Sequence, residues 1–230
     1  MRVGCGVAAT LLLAMGSVGA QDQGWRPLFD GSTSKGWVEV TGKPFPTHSW
    51  TIEDGSLKAL ARTDGYEDIR TVESFTSFEL QFEWKLAKLG NSGVKYLIQR
   101  TEDWTDKDGR QARARGLEYQ LVDINGTDGV EPSRITGALY SVFAPANANW
   151  KIGEFNESRL IVNGTHVEHW LNGQKVLSYE TTDPKVQTAL RSLQAKGASA
   201  DAPLVTESPI SLQNHGSETW FRKIRIRPLP

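Results

Sequence analysis

Three short stretches of this sequence combine imidazoles, carboxylates and amides at strand-like spacing. The first is Gly116-Leu117-Glu118-Tyr119-Gln120-Leu121-Val122-Asp123. Period-two alternation puts Glu118 and Gln120 on one face and Leu117, Tyr119 and Leu121 on the other. Asp123 has the opposite parity from Glu118, so it shares that face only if a bulge or the strand end re-aims it. The second stretch is Val167-Glu168-His169-Trp170-Leu171, where His169 shares a side with Val167 and Leu171. In the third, Ile210-Ser211-Leu212-Gln213-Asn214-His215-Gly216, Gln213 and His215 lie opposite Leu212. Histidine, with an unperturbed pKa near ~6.5, suits acid–base work at neutral pH.

Each stretch also has a bland explanation. A lone histidine on a strand is commonly a satisfied structural residue, and a Glu-x-Gln face is by default the solvated side of an antiparallel sheet. The case for a shared functional face rests on coincidence. Two imidazoles, a carboxylate, two amides and an aspartate recur near the strand ends of one small chain. No Ser-His-Asp order, zinc-ligand spacing, phosphate-binding glycine loop or EF-hand competes with them. The Asn-x-Ser/Thr triplets at Asn125, Asn156 and Asn163 read as turn chemistry.

The elements that must position these residues are short alternating strands. Phe78 to Leu86 is nearly a pure period-two run, and Trp220 to Ile226 closes the chain the same way. Asp54-Gly55, Asn163-Gly164 and Asn172-Gly173 each carry the dipeptide that a type I′ hairpin turn favours. Many strands joined by glycine turns predict an all-β fold, an antiparallel β-sandwich of the concanavalin A-like jelly-roll type. One short helix is expected over Asp183 to Ala195, opened by Pro184, with Val186, Leu190 and Leu193 on one face. Glu102 to Arg115, Asp128 to Thr136 and Gly197 to Pro203 read as loops.

The N-terminus addresses the compartment. Arg2, the apolar run from Val7 to Met15 and the small residues Val18-Gly19-Ala20 read as a signal peptide over 1–20, cleaved before Gln21. The expected product is a single exported domain, 21–230, periplasmic or extracellular in a bacterium. The only cysteine, Cys5, falls within the leader and too early for a lipoprotein cleavage site, so the core alone must hold the fold. A formal net charge of −1 and the lack of a basic run argue against nucleic-acid binding. Nothing after the leader reads as a membrane span, and no obligate protein partner is evident.

At these same residues the chain resembles the exported bacterial family of 3-keto-disaccharide hydrolase domains. The resemblance is carried by Trp25-Arg26-Pro27-Leu28-Phe29-Asp30-Gly31, Trp50-Thr51-Ile52-Glu53-Asp54-Gly55, Asn91-Ser92-Gly93-Val94 and Gly116-Leu117-Glu118-Tyr119-Gln120. It continues through Thr136-Gly137-Ala138-Leu139-Tyr140, Gly153-Glu154-Phe155-Asn156, His169-Trp170-Leu171-Asn172-Gly173 and Leu212-Gln213-Asn214-His215-Gly216. The chain departs from the family pattern at Phe155, Asn214 and Lys95, and its stretch from Thr181 to Val205 is longer than a minimal member's.

The resemblance implies a jelly-roll sandwich that cleaves glycosides already oxidised to a ketone at sugar C3. Such a ketone acidifies the C2 hydrogen; its removal gives an enediolate whose collapse expels the C1 substituent, and water then adds back. The route needs a base, a stabiliser of the enolate oxygen and an acid, not the two-carboxylate arrangement of ordinary glycosidases. The catalytic candidates are His169 or His215 as base, with Glu118 or Asp123 as orienter, acid or metal ligand. Gln120, Tyr140, Gln213, Asn91 and Lys95 are candidates for substrate binding. The sequence establishes no cofactor; a divalent metal on Glu118, His169 and His215 would supply an electrophile. The expected partner is an oligosaccharide or glycoside substrate. A non-catalytic carbohydrate-binding module is the alternative, because the fold hosts many lectins; a structural or adhesive envelope domain is a third reading.

Overall fold

The structure is a computed structural model that describes Met1 and residues 24–62, 64–124 and 130–230. Residues 2–20 of the predicted leader, Cys5 among them, and Gln21 and Asn125 lie outside the described residues.

Fourteen strands are assigned among the described residues. They begin with β1 (Arg26–Pro27), β2 (Trp37–Glu39), β3 (Trp50–Glu53), β4 (Ser56–Ala59), β5 (Gly65–Glu67), β6 (Ile69–Thr71) and β7 (Phe78–Leu86). There follow β8 (Asn91–Asp106), β9 (Gly109–Val122), β10 (Asn156–Asn163), β11 (His166–Leu171) and β12 (Gln174–Glu180). Helix α1 (Pro184–Leu193) precedes β13 (Ser211–Leu212) and β14 (Thr219–Pro228). One sheet runs β12-β11-β10-β7-β14-β4-β3, with β1 added against β14; the other runs β2-β6-β13-β8-β9-β5. The predicted sandwich is thus present, with one departure: β5 pairs β9 in parallel.

Alternation drives the packing. Phe78, Leu80, Phe82, Trp84 and Leu86 point from β7 into the core, where they meet Val94 and Tyr96 of β8 and Leu117, Tyr119 and Leu121 of β9. Burying each such side chain contributes roughly 1.5–3 kcal/mol relative to exposing it. The buried indoles keep their N–H groups bonded: Trp50 Nε1 donates to Glu67 O at 2.7 Å and Trp84 Nε1 to Ser158 Oγ at 2.8 Å.

Asp54-Gly55 and Asn172-Gly173 have positive φ at both residues, as a type I′ turn demands. Asn163-Gly164 does not. There the register pairs Asn163 with His166, so Gly164 and Thr165 form the loop and only Gly164 has positive φ.

The charged stretch from Glu102 to Arg115, expected to be a loop, is instead the outer half of the long β8–β9 hairpin. Its charges neutralise one another across the ladder. Glu102 takes both Arg100 and Arg115, while Arg110 donates to Asp103 at 2.8 Å and also binds Glu39 and Glu67. Near the base of this hairpin the register shifts between Tyr96 and Arg100. Leu97 has φ of 46° there, and a side chain on Gly116 would meet the Tyr96 carbonyl.

Helix α1 begins where Asp183 caps it, its carboxylate accepting from Lys185 N at 2.8 Å. Val186 and Leu190 are buried. The segment that follows is strapped to the bulged part of β8. Arg100 Nε donates to Gln194 O at 2.9 Å, and the Gln99 side chain bonds both N and O of Val205 at 2.9 Å. No described helix is long and apolar enough to cross a membrane.

Candidate active site

The site forms on the face of the second sheet that is turned away from the core. The register sets Lys95 opposite Glu118, Gly93 opposite Gln120, and Ser211 opposite Lys95. One face of β8, β9 and β13 therefore carries Lys95, Glu118 and Gln120, and Gln213 and His215 extend it past the end of β13. Over this floor a cavity of about 660 Å³ opens, walled on one side by Leu139 to Val142 and on the other by Lys185, Thr188 and Ser192 of α1. Glu118, Gln120, Gln213, His215, Tyr140, Asn91 and Lys95 all line it.

Glu118 is half-buried. Its carboxyl packs over Gly93, where a Cβ would lie 2.8 Å from Cδ. Burial pushes its pKa up to about 7, against the pull of the Lys95 ammonium. The amides flank it. Gln213 Nε2 stands 3.5 Å from Glu118 Oε2, and Gln120 Nε2 donates to Asn91 Oδ1 at 3.2 Å. Gln120 Oε1 and Gln213 Oε1 are buried without a hydrogen-bond partner among the described residues. Two orphaned acceptors in a pocket are open to hydroxyl or N–H donors of a ligand.

His215 sits at the exposed rim, its ring 6.3 Å from that of Tyr66 and 27° from parallel. Desolvation, then the nearby Arg113 guanidinium, hold its pKa below the usual imidazole value. Beneath lies a charge cluster that strand patterning does not reveal. The carboxylate of Asp68, fully buried, accepts from Lys95 Nζ at 2.9 Å, Ala114 N at 3.0 Å, and Arg113 Nη1 and Asn214 N at 3.2 Å. Arg113 in turn lies 4.4 Å from the centre of the Tyr66 ring. Asn214, where the family pattern has Asp, uses its amide Nδ2 to donate to Ser49 O at 2.9 Å, which a carboxylate cannot do.

Two sequence candidates are elsewhere. His169 projects from β11 into the core and is fully buried, with Nδ1 3.0 Å from Gly137 O and Nε2 2.7 Å from Tyr96 Oη. Its parity with Val167 and Leu171 sends it between the sheets, so it cannot touch a substrate in the pocket. Asp123 is buried beside the β7–β8 turn, where its Oδ2 accepts from Leu89 N at 2.8 Å. The metal set of Glu118, His169 and His215 therefore does not assemble. Among the described residues no three His, Cys, Asp or Glu side chains converge as a metal site.

Fold and site define a β-sandwich with an open polar pocket on the outer face of one sheet. The chain belongs to the family of the 3-keto-alpha-glucoside-1,2-lyase-like domain, which it matches over residues 24–227. It is 34% identical over 233 residues to a 3-keto-disaccharide hydrolase of Bacteroides thetaiotaomicron, a match covering 90% of this chain and 79% of that protein. Among solved structures it is similar to a candidate glycosyl hydrolase of Parabacteroides distasonis, with a TM-score of 0.71 and 27% identity over 90% of this chain and 95% of the other. A second such protein from the same organism gives a TM-score of 0.64 and 25% identity over 89% and 99% of the two chains.

Proposed function

We propose that this chain, exported by its leader, cleaves 3-keto-glycosides by C2 deprotonation and elimination, with His215 as base and Glu118 as acid. The observation that carries the reading is the pairing of these two groups in one pocket. One is held below the ordinary pKa of its kind and the other is raised, so a neutral imidazole and a protonated carboxyl coexist near neutral pH. Membership of the family and the name of the Bacteroides relative support the substrate class.

The steps follow from these groups. His215 takes the C2 proton, and the C2–H electrons move toward the C3 carbonyl to give the enediolate. Lys95 spends one N–H on Asp68 and, with three donors on its ammonium, has others for the enolate oxygen. The enediolate then collapses to a C1–C2 double bond as the C1–O bond breaks. Glu118 gives its proton to the departing oxygen. Water then adds at C1 and gives a proton to the Glu118 carboxylate while the proton on His215 returns to C2, which resets both groups and converts the lyase product into the hydrolase product. Gln120 and Gln213 offer their orphaned oxygens to ring hydroxyls.

The competing module for binding alone would present stacking indoles, and among the described residues the lining of this cavity is polar and aliphatic with Tyr140 and His215 as its aromatic rings. The test is turnover of a glucoside against its 3-keto derivative. The ketone delocalises the carbanion charge, so only the oxidised substrate is expected to react. Equal cleavage of both would refute the elimination route.

A further inference from the structure

We infer that His169 is a positioning residue, a fixed neutral tautomer that holds the Gly137–Tyr140 segment leading into the pocket wall, and through it Glu118 and Gln120, in place from inside the core. The inference rests on the pocket above being the active site. It begins with the wall itself, which is stitched to β9 by backbone bonds at the two residues that matter. Gly137 N donates to Gln120 O at 2.9 Å, Gln120 N to Ala138 O at 3.2 Å, and Tyr140 N to Glu118 O at 3.0 Å. Between those residues, Tyr119 points the other way into the core, and its ring lies 4.6 Å from that of His169. The imidazole thus sits beneath the stretch of β9 that carries Glu118 and Gln120 on its opposite face.

The hydrogen bonds admit one arrangement of protons. Gly137 O can only accept, so His169 Nδ1 must carry a proton and donate to it. Burial holds the imidazole pKa down at about 4, which leaves the ring neutral and Nε2 bare at neutral pH. Nε2 therefore accepts from Tyr96 Oη. With that proton spent, the short contact between Tyr96 Oη and Tyr179 Oη requires Tyr179 to donate. A directed chain runs from β12 through β8 and β11 to the wall of the pocket. Tyr96, Tyr119 and Tyr179 are the titratable groups packed against the ring, and burial raises the pKa of all three, so they stay protonated.

A histidine present only to fill space would need neither the tautomer nor the link to the wall. Nitrogen-15 NMR of the unaltered protein should show His169 with its proton on Nδ1; an Nε2–H or charged ring at neutral pH would overturn the inference. His169→Gln keeps an N–H for Gly137 and an oxygen for Tyr96, whereas His169→Leu keeps neither. The Leu variant should lose about 10²-fold in kcat/KM, the scale of a misplaced catalytic group, with the loss mainly in kcat and largely restored in the Gln variant. Without substrate, amide exchange at Gly137 and Tyr140 should quicken at least about tenfold in the Leu variant, while the β10–β11 ladder holds. Uniform quickening, or none, would refute the positioning role whatever the enzyme turns over. If the Leu variant fails to fold, the tautomer and the Gln variant still decide. An inactive wild type with the predicted tautomer and exchange pattern would instead count against the proposed reaction.

Discussion

Gly93 and Glu118 occupy neighbouring strands so closely that a methyl group on the glycine would lie 2.8 Å from the carboxyl carbon of the glutamate. That glycine is a hollow which seats the carboxyl, not a turn residue. Gly93→Ala should therefore push Glu118 aside without disturbing the core. The expected result is a loss in kcat/KM of about 10–10²-fold with little change in melting temperature. Steady-state kinetics beside a thermal melt check it; an unchanged kcat/KM would show that the carboxyl's seat is unimportant.

Glu118 also makes a prediction about pH. Its pKa is raised in the folded chain to about 7 from an ordinary carboxyl value of 4.5. The unfolded chain therefore loses this proton first. Stability from the neutral carboxyl is complete below pH 4.5 and is lost as pH rises through about 7. Glu118→Gln should remove that decline, so denaturant titrations at pH 5 and pH 8 should differ less for the variant than for the wild type. A variant whose decline matches the wild type's would mean that the carboxyl is ionised throughout.

Beneath the site, Asp68 answers two cations at once. Removing its charge in Asp68→Ala leaves Lys95 and Arg113 buried without a counterion, at a cost of about 3–5 kcal/mol. Lys95 would also be released from its tether below the pocket. Chemical denaturation measures the first effect and kcat/KM on 3-keto substrate the second. A loss under about 1 kcal/mol would mean that water already screens the cluster.

Much of this arrangement is legible in the sequence, and the limits have physical causes. Strand parity alone separates Glu118 and Gln120 from Leu117, Tyr119 and Leu121, because a buried face must alternate with an open one. Parity also groups His169 with Val167 and Leu171, which is the signal of its burial. Its residue type suggests chemistry; its neighbours are the better guide. Asp68 carries no local mark, since its donors come from positions 27 to 146 residues away along the chain. The same holds for the charged β8–β9 hairpin, whose ion pairs exist only once the strands are paired.

Reading residues 1–20 as a leader predicts a processing event. If residues 1–20 are a signal peptide, the mature chain begins at or near Gln21 and is found outside the cytoplasm. Mass spectrometry of native protein from an envelope or culture fraction reads this directly. Retained Met1, or a lipid on Cys5, would contradict it.

The roles proposed for His215 and Glu118 can be separated, because they concern different bonds. If His215 is the base of the proposed route, His215→Ala should abolish exchange of the C2 hydrogen with heavy water in 3-keto substrate and should slow cleavage by a similar factor. General-base contributions of about 10²–10⁴-fold set the scale. If Glu118 is the acid that protonates the departing oxygen, Glu118→Gln should leave C2 exchange largely intact and slow only expulsion of the leaving group. The defect should then depend on the leaving group. A sugar alkoxide is a poor one and needs the proton, whereas a nitrophenolate leaves without it. The variant should be impaired about 10²-fold or more on a 3-keto disaccharide and much less on the nitrophenyl 3-keto-glucoside. His215→Ala should be impaired equally on both, since the base acts before the leaving group departs. If instead Glu118→Gln loses C2 exchange while His215→Ala keeps it, the carboxylate is the base and the two assignments exchange places.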